Sequence, residues 1–386
     1  MNTKFMRAFY VGCGIAAFAQ GSAQTVPVDA AAGTSRHRSA QLTEFSMPQA
    51  GTAAGLGTYP LANNDEGAVT GYYIDKNSVF HGFLRQPNGK LLSIDAPGAG
   101  TTAGSFQGTD ANAINDFGVI AGNVEDNDNL IHGFVRRPDG SYDIFDIAGA
   151  GTMANQGTAA VSINIEGATT GTFIDSGNVS HGFVRSADGV QVATFDPPGS
   201  VNTFPCQETC LNVEGQIAGY FLDSKNVFHG FLREPNGKIT VIDGPDAGTG
   251  EFTGTFAASI TPEGEITGYT VDATGVAHGY VRDRAGIYTE FDVPQRLVGA
   301  GASTAAFSIN VFGAVTGLAV DSGGVLHGFS RSPRGEFTIF NAPGGGTAAG
   351  QGTRPSTNNL EGDVAGWYID GQGLGHGFVW KPECDD

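Results

Sequence analysis

His229-Gly230-Phe231-Leu232-Arg233 is one of seven versions of a single phrase. The others start at His81, His132, His181, His278, His327 and His376, with Tyr280 in place of Phe in one of them. The intervals are 51, 49, 48, 49, 49 and 49 residues. A fixed period of this length means one supersecondary unit repeated seven times.

Working outward from the phrase, each period has four segments. A small-residue run ends in Asn, as in Thr109-Asp110-Ala111-Asn112-Ala113-Ile114-Asn115. An alternating run follows, such as Gly215-Gln216-Ile217-Ala218-Gly219-Tyr220-Phe221-Leu222-Asp223. The phrase is third, and a run like Lys238-Ile239-Thr240-Val241-Ile242-Asp243 is fourth. Short alternating runs broken by Pro-Asn-Gly, Pro-Asp-Gly or Glu-Gly are strands joined by tight turns. Sixty glycines suit that density of turns, and no helical period appears. Four antiparallel strands per repeat predict an all-β chain, a seven-bladed β-propeller. The termini fit a closed ring. Leu42-Thr43-Glu44-Phe45-Ser46 is a spare fourth-type strand, and the chain ends on the third-type strand His376-Gly377-Phe378-Val379-Trp380. The N-terminal strand is therefore expected to complete the last blade and remove an exposed edge.

The repeat resembles the HAF-repeat family of bacterial extracellular proteins. The matching residues are the His-Gly-Phe units, Ile114-Asn115, Gly71-Tyr72-Tyr73 and Asp95-Ala96-Pro97-Gly98-Ala99, and the likeness runs from about Gln41 to Pro382. It implies a secreted repeat protein and carries no agreed activity.

The start of the chain agrees with export. Lys4 and Arg7 precede a short apolar, small-residue run that ends near Ala23, the pattern of a signal peptide over 1–23. Residues 24–40 read as a disordered tail, and 41–384 as the propeller. The expected location is extracellular or periplasmic. No stretch is long and apolar enough to cross a bilayer as a helix, so no membrane insertion is expected. Without the signal peptide, 18 basic face 39 acidic residues, a net charge of −21. Such a chain repels phosphate backbones, which argues against nucleic acid as a partner. A monomer is expected. Cys206 and Cys210 sit four residues apart; on an extended strand they would be roughly 13 Å apart, so a bridge would need a local bend. Cys384 stands alone.

Each histidine of the phrase follows an Asp by six positions: Asp75, Asp126, Asp175, Asp223, Asp272, Asp321 and Asp370. A second Asp on the fourth strand (Asp95, Asp146, Asp196, Asp243, Asp292) gives way to Asn341 and Ser46 in the last two blades. Hairpin pairing puts this second group opposite the histidine. The expected role is a hydrogen-bonded clasp holding three strands in register, because seven histidines spread around a wide ring cannot converge on one substrate. The arginines that recur two residues after the aromatic are likewise expected to serve pairing or surface roles.

Function is then expected in residues that break the repeat. Long connections such as 96–108 and 147–157 share one face, while the opposite face has short turns such as Asp116-Phe117-Gly118. Loops on a rigid scaffold are the usual place for function, so the long-loop face is favoured. The third position of the inner strands holds Tyr59, Asp110, Ala159, Gln207, Phe256, Ala305 and Arg354. Tyr59, Arg354 and Asp110 are expected to form a polar sector at the channel mouth, with Glu208 further round. The primary expectation is a secreted binding or scaffold module for an extracellular glycan or protein. The alternative is a polysaccharide lyase acting on uronic-acid glycans, with those four residues performing proton abstraction beside a neutralised carboxylate. No motif requires a cofactor. Calcium is the one ion suggested, at Asp126 and Asp128 in the carboxylate-rich run Glu125-Asp126-Asn127-Asp128-Asn129.

Overall fold

The computed structural model describes residues 40–206 and 209–383. The expected signal peptide, the tail up to residue 39, Gln207, Glu208 and Cys384 lie outside the described residues. The described chain is all-β, with 28 strands and a single helical turn at Gln295–Val298.

The strands form seven four-stranded antiparallel units. In unit one, β2 (Gly57–Asn63) pairs with β3 (Val69–Ile74), β3 with β4 (Phe80–Arg85), and β4 with β5 (Leu91–Ile94). Units two to six repeat this as β6–β9 (108–145), β10–β13 (157–195), β14–β17 (200–241), β18–β21 (254–291) and β22–β25 (303–340). Unit seven has β26 (Gly352–Asn358), β27 (Val364–Ile369) and β28 (Gly375–Lys381) from the C-terminal end. Its fourth strand is β1 (Gln41–Phe45), paired with β28 from Gln41↔Lys381 to Phe45↔Gly377.

The packing explains each letter of the repeated phrase. The aromatic residue is the core: Phe83, Phe134, Phe183, Phe231, Tyr280, Phe329 and Phe378 are all fully buried. The glycine is a seat for the fourth-strand aromatic. A methyl group on Gly182 would lie 2.5 Å from the Phe195 ring, and one on Gly377 would lie 2.7 Å from Phe45. The core lies between units rather than within them. Phe134 of unit two packs with Ala62 and Ile94 of unit one, and Phe83 of unit one packs with Ala365 and Val379 of unit seven.

Consecutive units are also tied by main chain. Gly108 opens β6 at φ +131°, and a Cβ there would sit 1.9 Å from the Phe80 carbonyl oxygen. Only glycine permits this approach, which forms a parallel bridge from β4 to β6. The same bridge forms at Gly57, Gly157, Gly254 and Gly352. Units four and six instead begin with Ser200 and Ser303. There a side chain takes over: Asn202 Oδ1 accepts from the Ser180 amide at 3.0 Å, and Ser303 Oγ accepts from the Ala277 amide at 3.4 Å. Sheet continuity breaks at both places, which separates an 8-stranded sheet from a 20-stranded one. On the long-loop side a buried threonine follows the opening residue. Thr58, Thr109, Thr158, Thr255, Thr304 and Thr353 each accept an amide from the loop just before it through Oγ1. Cys206 and Cys210 are buried and not joined in a disulfide, with the Cys210 thiol donating to the Cys206 carbonyl.

Candidate binding site

The histidines are built as clasps. Nδ1 of His81, His132, His181, His229 and His278 lies 2.7–3.0 Å from the fourth-strand aspartate. His327 and His376 pair instead with Asn341 at 3.1 Å and Ser46 at 2.9 Å. Nε2 faces the other aspartate, whose second oxygen is held by loop amides, as Asp75 holds those of Asn77 and Val79. The spacing responds to charge. Where the fourth-strand partner is an aspartate, Nε2 stays 3.5–3.8 Å from the loop aspartate. Where it is neutral, the distance is 3.2 Å, because the ring has one carboxylate left to approach. The hydrogen bond that the His81 ring donates to the Asp95 carboxylate raises His81 above the usual imidazole value. For His181 and His278, burial pulls the other way and the paired carboxylates outweigh it. The recurring arginines are consumed too. Arg85, Arg185, Arg233 and Arg331 lie 4.3–5.2 Å over a ring on the fourth strand of the preceding unit.

The asparagine that recurs after the first strand in six of the seven units runs a relay. Nδ2 of Asn64 donates to the carbonyl of Asn115, Asn115 to Asn164, Asn164 to Asn212, and Asn212 to Thr261, at 3.0–3.1 Å. Asn310 donates to Asn359 at 2.9 Å and Asn359 to Asn64 at 3.2 Å. Thr261 has no amide, so six of the seven units donate and the Thr261-to-Asn310 step is missing.

This relay surrounds a cavity of about 230 Å3 that all seven units line, on the short-turn face rather than the favoured long-loop face. The turn residue after each relay position forms its mouth: Asp65, Asp116, Ile165, Val213, Pro262, Val311 and Leu360. Five are apolar and two neighbouring ones are acidic. Asp116 Oδ1 accepts the Asp65 amide at 2.9 Å, and Asp65 Oδ1 accepts the Leu360 amide at 2.8 Å. Burial raises the Asp65 carboxyl, the Leu360 amide offsets part of this, and the adjoining Asp116 carboxylate raises it further. One position further along, five turns carry Glu, but units two and six carry Phe117 and Phe312, 70% and 67% exposed. No site expected from the sequence includes these two. The signal was present as an aromatic in a column of glutamates.

The sector expected at the long-loop face is brought together, but as packing. Tyr59 is only 6% exposed, stacks on Tyr72 at 5.1 Å and meets Trp367 edge-on at 5.5 Å. Its hydroxyl donates to the carbonyls of Leu56 and Gly55. Burial pushes its pKa up to about 12, which unsuits it as a base near neutral pH. Arg354 lies over the rings of Phe307 and Trp367 at 4.8 and 5.2 Å, and Asp110 accepts from Asn123 at 3.1 Å. All three influence the buried Tyr72 hydroxyl. In unit four, Phe204 rather than Gln207 occupies the matching register, opposite Tyr220. Asp126 is a clasp residue holding the amides of Asp128 and Leu130. Among the described residues, no group of three or more His, Cys, Asp or Glu side chains is placed to hold a metal ion, and no helix is long and apolar enough to cross a membrane.

No protein-family model matches the chain, and no curated protein matches it. Solved structures do. Puromycin hydrolase is 13% identical with a TM-score of 0.52, over 81% of this chain and 50% of that one, so this chain spans about half the hydrolase. The BP39L lectin from Burkholderia pseudomallei is 12% identical, covering 89% of this chain and 98% of that one, with a TM-score of 0.49. The Aleuria aurantia lectin, described as a six-bladed β-propeller, is 12% identical over 78% of this chain and 95% of that one, with a TM-score of 0.41. The hydrolase likeness is one of fold.

Proposed function

We propose that the seven units close into a seven-bladed β-propeller, and that the protein is a secreted, HAF-repeat-type binding module that takes an extracellular glycan on its short-turn face. The β1–β28 pairing and the relay step from Asn359 to Asn64 support closure. One observation carries the functional reading. The repeated polar side chains are occupied in clasps, caps and relay and the repeat-breaking Tyr59, Arg354 and Asp110 in packing, whereas the short-turn face carries two exposed aromatics and a carboxylate pair beside a cavity. Exposed aromatic rings cover the apolar C–H face of a pyranose, and carboxylates accept its hydroxyls. Solvated aromatics with no structural duty mark an interaction surface. The overall charge of −19 disfavours polyanionic ligands.

The test is calorimetry of the full chain against a panel of neutral, acidic and amino-bearing oligosaccharides. The expected result is binding to at least one class, weakened about tenfold or more by Phe117→Ala with Phe312→Ala, at unchanged thermal midpoint. Equal binding by that double variant, or no binding to any class, defeats the proposal.

A further inference from the structure

Unit four departs from the other six at one place in its first hairpin. Elsewhere the first strand carries a bulge of one extra residue there. In unit four, Pro205 stands opposite Gly219 and Leu211 opposite Ile217, so residues 206–210 face the single residue Ala218. The Cys206 amide donates to the Ala218 carbonyl at 3.1 Å, and the Ala218 amide donates to the Cys210 carbonyl at 3.0 Å. In an antiparallel ladder one residue normally makes both of these bonds. Cys206 and Cys210 therefore share one residue's place, and the chain leaves and rejoins the sheet at the same point. This is the bend that a bridge between them requires, since on an extended strand they would be roughly 13 Å apart. The Cys210 thiol reaches the Cys206 carbonyl, and both side chains belong to one buried cluster with Ala218 and Tyr280.

We propose that Cys206 and Cys210 are the two halves of a disulfide that clamps this insertion, formed as the chain folds in the presence of a disulfide oxidant. One cysteine thiolate attacks the oxidant's disulfide, which makes a mixed disulfide and releases one thiol. The second cysteine thiolate attacks the mixed disulfide, forms the Sγ–Sγ bond and expels the second thiol. Two electrons and two protons pass from the cysteines to the oxidant. Exported proteins meet such oxidants, so the place of this reaction rests on the reading of the chain as secreted. Among the described residues no third His, Cys, Asp or Glu joins the pair, so its side chains suit covalent pairing better than a metal site. Both cysteines are buried to about one per cent exposure or less, so the bond forms before units four and five close over it and is then shielded from reductants. The clamp bears on the cavity wall. Thr209 donates through Oγ1 to Ser259 at 2.7 Å and accepts the Ile260 amide at 3.1 Å, which ties the insertion to unit five. Thr209 and Leu211 both line the cavity.

The test is a digest of the full chain refolded with reduced and oxidised glutathione, then alkylated in urea. The buffer supplies the oxidant, so the result does not depend on where the protein resides. Trypsin cuts after Arg185 and Lys225 and releases both cysteines in one peptide that holds no other. That peptide is expected without alkyl groups and lighter by the two hydrogens lost. The bridged protein should melt about 2–5 °C above the same protein kept in dithiothreitol. Cys206→Ala with Cys210→Ala should make the midpoint independent of dithiothreitol. If that variant does not fold, or the chain does not refold, the same digest of protein expressed with export decides. Two alkylated cysteines in the peptide, or a glutathione adduct in place of the bridge, overturns the proposal. A bridged protein that melts with the reduced one overturns it too, since the bond would then clamp nothing. Neither result bears on the glycan reading.

Discussion

Thr261→Asn should strengthen the molecule at its weakest join. Between units five and six two ties are altered at once. Ser303 stands where glycine elsewhere permits the main-chain bridge, and Thr261 interrupts the asparagine relay. Asparagine at 261 would donate to the Asn310 carbonyl, as Asn212 donates to Thr261 one unit earlier at 3.0 Å. Nothing is lost in exchange. Thr261 Oγ1 accepts the Glu265 amide at 3.1 Å, and the Oδ1 of Asn64 performs the same duty for Ala68 at 2.8 Å. The net gain is one buried neutral hydrogen bond, about 1 kcal/mol. The opposite change, Asn115→Ala, removes the 3.1 Å bond to Asn164 and strands the Val119 amide, which Asn115 Oδ1 accepts at 3.0 Å. That should cost about 2–3 kcal/mol, since a buried hydrogen bond is lost and a part-buried donor is left unpaired. Urea unfolding gives both signs. Hydrogen exchange localises them: amides of 277–282 and 303–309 should exchange about fivefold more slowly in Thr261→Asn. Unchanged or faster exchange there, with Asn115→Ala costing under about 0.5 kcal/mol, would show that the relay contributes no stability.

Stability should peak in mildly acidic solution. The raised values of His81, His181 and His278 contribute stability that is complete below about 6.5 and lost as pH climbs through the folded values. Asp175 is lowered first by the Val179 amide; at Asp223, Asp272 and Asp370 burial is outweighed by loop amides and the clasp histidine. Their contribution is present above about 3.9 and lost as pH falls through the lowered values. Thermal midpoints should therefore fall on either side of about pH 5–6, and a flat profile from 6 to 8 would refute the clasp. Phe134→Ala, which empties a fully buried ring site, should cost about 3–5 kcal/mol in urea unfolding. Gly182→Ala should cost about 1–3 kcal/mol by driving a methyl into Phe195, and the double variant Gly182→Ala, Phe195→Leu should recover part of it. Phe117→Ala should shift stability by no more than about 0.5 kcal/mol, in contrast with its effect on binding.

The phrase and its spacing made the units, the clasps and the β1–β28 pairing legible, because each depends on residues recurring at a fixed offset. Side-chain facing on the first strands was not. A bulge falls between Pro60 and Ala62, and at the matching place in five other units, and resets the alternation in mid-strand. Simple period-two reading therefore carries Tyr59 to the channel, whereas it packs against Trp367 of the neighbouring unit. Unit four failed for another reason. Three extra residues separate Thr203 from Asn212 relative to Thr58 and Asn64, and this moved Gln207 into the register that Phe204 holds. The cavity depends on how seven turns meet, which no single repeat contains.

Pairing Gln41 with Lys381 has a consequence for the newborn chain. Synthesis delivers β1 first and its partner last, so the first strand waits as an unmatched edge through nearly the whole of translation. The contact of longest sequence separation is thus the one that finishes the molecule, a topology that slows folding and rewards completion over partial products. A chain cut short by a few dozen residues would lose β28 and leave two raw edges instead of a join, ready to pair with another copy. The charged Glu44 and the brevity of β1, five residues, are the usual defences of a strand that must wait alone.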